Sequence, residues 1–85
     1  MSKKDPTVYL RHILDCFDAI ESYIDGMSRD KFLANRLVQD AVVRNLEIIG
    51  EAANRIQDAA PEFVANHPEL PWIEMRGMRN KMIHE

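Results

Sequence analysis

The stretch RLVQDAVVRNLEIIGEAANRIQ, residues 36–57, decides the fold, because 22 residues pass without a proline and carry one apolar period throughout. At about 100° per residue counted from Val38, one arc collects Ile48, Ala41, Ala52, Ile56, Ile49, Val42, Ala53 and Leu46. Asp40/Arg44 and Glu51/Arg55 stand on the other side at i,i+4, where opposite charges meet on a helix surface. A strand would alternate every second residue, so this segment predicts a long helix opened by Asn35 or Arg36.

Upstream, Ser28 can cap a short turn over 28–34 through Phe32 and Leu33. Before it, Asp5-Pro6 offers an N-cap with proline at the first helical position, and Gly26 supplies a stop, which brackets a helix over about 6–25. Its apolar arc, Tyr23, Cys16, Ile20, Ile13, Ile24, Phe17, Leu10 and Leu14, fills half the helical wheel. That width predicts burial against its own bundle and against a second chain. Downstream, Pro61, Pro68 and Pro71 make 58–71 a proline-rich connector with at most one helical turn near 62–65. Pro71 then starts a last helix, 71–85. With no alternating pattern, hairpin dipeptide or internal repeat, the sequence predicts a single all-α domain over 1–85.

Composition bounds what such a domain can do. The 85 residues (9.9 kDa) are 46% apolar and 29% charged, a globular balance. A chain this short hides only about two-thirds of its unfolded surface. It has one cysteine, Cys16, so neither an intrachain disulfide nor a cysteine-pair zinc site can staple it, which raises the expectation of a homodimer. The longest apolar runs cannot span a bilayer and the N-terminus leads into no signal core, which predicts a cytoplasmic protein without a membrane partner. The net charge is −3, but residues 71–85 carry 3 basic and 2 acidic groups against 8 and 12 in the rest. An acidic chain does not coat nucleic acid indiscriminately, so a nucleic-acid contact has to be local and C-terminal.

The last helix carries the anomaly. Trp72, Met75, Met78, Met82 and Ile83 form one apolar arc, and Arg79 falls inside it. A guanidinium there is costly unless it is paired, aimed into a wet cavity, or set at an interface. Arg76, Asn80 and His84 form a second line at i, i+4 and i+8. Periodicity leaves two readings open: Arg79 snorkels or pairs with Asn45, a polar residue inside the long helix's apolar arc, or these side chains form a functional cluster. The three methionines fit core or dimer packing better than a ligand surface.

Arg79-Asn80-Lys81-Met82-Ile83-His84 resembles the Arg-Asn-x-x-x-His signature of the HEPN domains. Ala41-Val42-Val43-Arg44, Glu47-Ile48-Ile49-Gly50-Glu51-Ala52 and Pro71-Trp72-Ile73-Glu74-Met75-Arg76-Gly77-Met78 extend the resemblance to the minimal HEPN proteins of the HepT toxin family, over essentially the whole chain. The resemblance implies an antiparallel four- or five-helix bundle that dimerises with the motifs of both chains facing one cleft. It implies a metal-independent ribonuclease toxin without a cofactor, encoded beside a minimal nucleotidyltransferase antitoxin. The family motif often continues to a tyrosine that the antitoxin modifies with AMP; this chain stops at Glu85, so that role passes to no residue here. The uncapped last turn, which holds His84, predicts that the natural domain extends past Glu85 and that this chain lacks the bundle's final helix.

The residue types fit that chemistry independently. Attack on RNA by its own 2′-hydroxyl needs charge stabilisation on a phosphorane-like transition state and proton transfer near neutral pH. Arg79 offers a fixed fork of donors for the first, and His84, with an ordinary imidazole pKa of about 6.5, serves the second. Asn80 would orient the histidine or the phosphate, with Arg76 and Lys81 adding positive potential. His12, His67 and His84 are too dispersed for a metal-ligand motif. Arg79 and His84 lie five apart, about 140° around a helix, so a site drawn from two copies is easier to assemble. The competing reading is a catalytically silent HEPN dimer that holds nucleotide, RNA or its nucleotidyltransferase partner. Glu51 reads as part of a solvated charged face, Cys16 as core, His12 and His67 as solvent-facing, and Tyr9 and Tyr23 as lacking a neighbouring base.

Overall fold

The structure, a computed structural model, describes the backbone of residues 5–83 and the side chains of residues 5–78. Five helices follow one another: α1 (Pro6–Ile24), α2 (Arg29–Leu33), α3 (Arg36–Ala59), α4 (Pro61–Asn66) and α5 (Trp72–Ile83). The fold is all-α, with no strand among the described residues. No described helix is long and apolar enough to cross a membrane.

Local chemistry sets the helix ends. Asp5 caps α1 by accepting from the Thr7 amide at 2.9 Å and the Thr7 hydroxyl at 2.8 Å, and these bonds hold its carboxyl below the usual range. Gly26, at φ +71°, supplies the left-handed turn that ends the segment. Ser28 caps α2 through the Lys31 amide, and Asn35 caps α3 through the Val38 amide at 3.0 Å. The Gln39 amide then donates to the carbonyls of Phe32 and Leu33, both at 2.9 Å, and ties the short helix to the long one.

The long helix is the axis of the fold, and each of the other four packs on it. Its buried residues, Ile49, Gly50, Ala52, Ala53 and Ile56, alternate bulk with small side chains. Ile13 and Cys16 of α1 and Trp72 and Met75 of α5 join them in one core, with Tyr9, Leu10, Ile20, Phe63 and Met78 packed around it. Burial pushes the Cys16 thiol up, as expected for a small core residue rather than a nucleophile.

Two expectations change, and the half-wheel arc of α1 divides: Ile13 and Cys16 are buried in this bundle, whereas Leu14 is 60% exposed and Phe17, Tyr23 and Ile24 lie near 40%. A wheel gives the width of an apolar face but not what stands opposite each part of it. The connector holds a six-residue helix, α4, with Pro61 in its first turn, where the missing amide costs nothing. His67 is half-buried rather than solvent-facing, because its ring lies 4.5 Å from that of Phe63 and its carbonyl accepts from the Trp72 indole at 2.8 Å. Trp72 also meets Phe63 edge-on at 6.3 Å, so the connector is fastened to the start of α5. His12 is exposed, as expected, with its ring edge-on to Tyr9 at 6.3 Å.

Candidate functional site

Trp72 and Met75 anchor α5 in the core, and the helix backbone continues from them through Ile83. That continuity carries Arg76, Arg79, Asn80 and Lys81 on one helix. Arg76 and Asn80 are four residues apart, hence on one face, with Arg79 about 60° away. The side chains of Arg79, Asn80, Lys81 and Met82 lie outside the described residues, as does His84 altogether.

Within the described part, one polar contact joins the site helix to the scaffold. The Arg76 Nε donates to Asn54 Oδ1 at 3.0 Å, from α5 to α3, with both residues half-buried. Asn45, which the sequence offered as a partner for Arg79, donates to the carbonyl of Ala41 on its own helix at 2.8 Å, and the Arg79 side chain lies outside the described residues. Among the described residues the amide that reaches α5 is Asn54, nine residues further along α3. Sequence reading missed it because a single amide on a polar helix edge carries no signal for a contact 22 residues away.

Glu51 is half-exposed and pairs with Arg55 at 3.1 Å, the solvated arrangement expected of it. Arg44 meets Glu47 at 3.7 Å and Arg36 meets Asp40 at 3.1 Å, again along the same helix. At the connector the His67 Nδ1 lies 3.0 Å from Glu69, and this bond lowers the Glu69 carboxyl pKa. Beside Arg76, Gly77 borders open space: a Cβ placed there meets nothing within 4 Å.

A family profile described as ribonuclease HepT-like matches residues 13–85. The chain is 40% identical over 82 residues to a protein of Thermococcus cleftensis named "probable ribonuclease HepT", covering 96% of this chain and 72% of that one. It is equally similar, 40% over 82 residues, to a "putative RNase" of Caldanaerobacter subterraneus subsp. tengcongensis, covering 96% and 70%. A third relative, from Methanocaldococcus jannaschii and named "gamma-glutamylcyclotransferase and putative RNase", is 39% identical over 83 residues. There the match covers 98% of this chain but only 36% of the relative, so the chain spans about a third of that protein's length. No solved structure matches the chain significantly.

Proposed function

Because the chain belongs to the ribonuclease HepT-like family, we propose that it is a metal-independent endoribonuclease acting as the toxin of a toxin–antitoxin pair in the cytoplasm. The observation that carries this reading is the extent of the family match, which runs through the last helix and takes in Arg79 and His84. In the proposed reaction the 2′-hydroxyl of the substrate attacks the neighbouring phosphorus and the 5′-oxygen of the next nucleotide leaves. His84 moves the proton and Arg79 holds the charge that gathers on the equatorial oxygens. Asn80 orients the imidazole or the phosphate, and Arg76 and Lys81 raise the local positive potential.

The same reading includes a homodimer and a minimal nucleotidyltransferase antitoxin as partners. The exposed apolar stripe of α1, with Leu14 at 60% and Phe17 and Ile24 at 39%, supports a second copy as the element that covers it. Light scattering tests the dimer directly: a mass near 9.9 kDa across micromolar concentrations would rule it out.

The nuclease test is a defined single-stranded RNA incubated with the protein in EDTA. The expected products end in 2′,3′-cyclic or 3′-phosphates, as internal hydroxyl attack requires. Products with 3′-hydroxyl ends, or a reaction that stops in chelator, would overturn the mechanism. Growth arrest on expression, relieved by a co-expressed nucleotidyltransferase, tests the toxin role separately.

A further inference from the structure

The described arginines with side-chain partners fall into two kinds. On α3, Arg36, Arg44 and Arg55 each pair with a carboxylate of their own helix at 3.1, 3.7 and 3.1 Å. Those charges are met locally and face solvent. Arg76 is half-buried and reaches across to α3, where its partner is the neutral amide oxygen of Asn54 at 3.0 Å. Among the described residues no ion pair neutralises it.

The difference has a chemical consequence. A carboxylate partner both orients a guanidinium and cancels its charge, whereas an amide oxygen orients it and leaves the charge available. The bond also uses Nε, which leaves the two terminal nitrogens with four of the five N–H donors in their planar fork. That fork matches a phosphate bidentately. Arg76 stands three residues before Arg79 and four before Asn80 on the same helix.

Building on the ribonuclease reading, we infer that Asn54 is a positioning residue which aims Arg76 at an RNA phosphate flanking the cleaved one. Asn54 touches no substrate atom; it selects the Arg76 rotamer through the Oδ1 contact while keeping the cation uncompensated. Arg76 then anchors the strand along α5 next to the group that does the chemistry. The amide also spares folding the cost of a free half-buried guanidinium, so a purely structural role for the contact is the rival explanation.

The two roles separate in Asn54→Asp. A carboxylate holds the guanidinium at least as firmly, so a structural bridge is preserved, but the charge offered to phosphate is cancelled. The experiment uses the 85-residue chain, a fluorescent single-stranded oligonucleotide carrying 2′-O-methyl groups throughout, and anisotropy titrations over a range of salt concentrations, with a melting curve for each variant. Asn54→Asp is expected to melt at or above wild type yet bind about 10- to 150-fold more weakly, the worth of one charge-assisted contact. Its salt dependence should fall by about 0.7 in slope, one phosphate on a single strand. Arg76→Gln should show the same slope, and Asn54→Ala combined with Arg76→Gln should bind no more weakly than Arg76→Gln alone, since without the guanidinium the amide has nothing to aim. Asn54→Ala, which keeps the cation but frees it, should weaken binding with a smaller change in slope.

Wild-type affinity and slope in Asn54→Asp would overturn the inference and leave the bond a structural bridge. If wild type cleaves RNA while that variant binds normally, only this inference fails. If wild type binds with an Arg76-dependent slope and cleaves nothing, the aiming of Arg76 at an RNA phosphate stands, while the nuclease reading and the place of that phosphate beside a cleaved one fail. A wild-type chain that does not bind the oligonucleotide overturns this inference whatever its cleavage activity.

Discussion

The two helices that meet through Asn54 and Arg76 do opposite work with similar material. In α3 most apolar residues face inward, although Leu37 and Val43 are exposed, the basic residues are paired to acidic ones along the same helix, and Ile49 and Ile56 are completely buried. The last helix puts Trp72 and Met75 into the core within its first turn and then carries Arg76, Arg79, Asn80 and Lys81 in close succession. One helix resolves its electrostatics internally, and the other depends on its neighbour to orient Arg76, the cation of α5 whose side chain is described. The contrast teaches where stability and function are held, and it makes their separation measurable.

The largest effect is expected on the site helix and should leave stability alone. Loss of a proton-transfer group costs on the order of 10²- to 10⁴-fold in rate, so His84→Ala should nearly abolish cleavage of a defined RNA while melting as wild type does. Arg79→Lys should also be slow, since an ammonium keeps the charge and loses the fork. Gel assays in EDTA with both variants check this. If His84→Ala cuts as fast as wild type, the chemistry lies elsewhere and the division of labour between the helices collapses.

The mirror experiment targets the scaffold. Ile56 is fully buried at the centre of the core, and truncation there removes apolar contacts and leaves a cavity. Ile56→Ala should cost about 2–5 kcal/mol in chemical denaturation, a large share of what an 85-residue domain possesses. Measured well below its lowered melting point, the folded fraction should bind RNA as wild type does. Weakened binding by fully folded Ile56→Ala would show that the scaffold also tunes the site.

How legible this was in the sequence differs between the two helices for physical reasons. The span of α3 could be read because its period is uninterrupted and its start is marked by a residue, Asn35, whose side chain can satisfy a free amide. The structure extends it only to Ala59, where Pro61 opens the next helix. Prolines hid α4, since three in one short stretch read as a connector although Pro61 sits where a helix tolerates it. The exposure of Leu14 was hidden for a different reason, because periodicity says which residues share a face and is silent on which part of the face is covered. At the site, the motif residues were legible as types in a spacing, but the scaffold contact was not. Asn45 stood out as a partner for Arg79 because it lies inside an apolar arc, and its amide donates one turn back to Ala41; nothing in that arc pointed to Asn54 as the partner of Arg76.

A smaller effect separates the two ends of α3 from its middle. Asn35 accepts from the Val38 amide at 3.0 Å, so Asn35→Ala leaves that amide without its side-chain partner at the start of the scaffold. The expected cost is about 1 kcal/mol, with no change in RNA binding. Urea denaturation at constant slope checks it. A loss as large as that of Ile56→Ala would mean the elbow between α2 and α3, including the Gln39 contacts, unfolds as a unit with the core.

The smallest effect has the opposite sign and returns to the site helix. Gly77 lies in the interior of α5 in ordinary helical backbone, where glycine costs roughly 0.5–1 kcal/mol relative to alanine through its greater freedom in the unfolded chain. A Cβ there meets nothing within 4 Å, so nothing inside the described chain demands a glycine. Gly77→Ala should therefore stabilise the protein, raising the melting temperature by a few degrees at this chain length. Gly50 of α3 offers no such gain to assume, because it is buried in the core. The informative readout is the pair of measurements. A rise in melting temperature with unchanged RNA binding would mean that the open face beside Arg76 is unused. A rise accompanied by weaker binding would mean that something outside the chain approaches the α5 backbone closely at Gly77. A fall in melting temperature that scales with protein concentration would identify that visitor as a second copy rather than RNA.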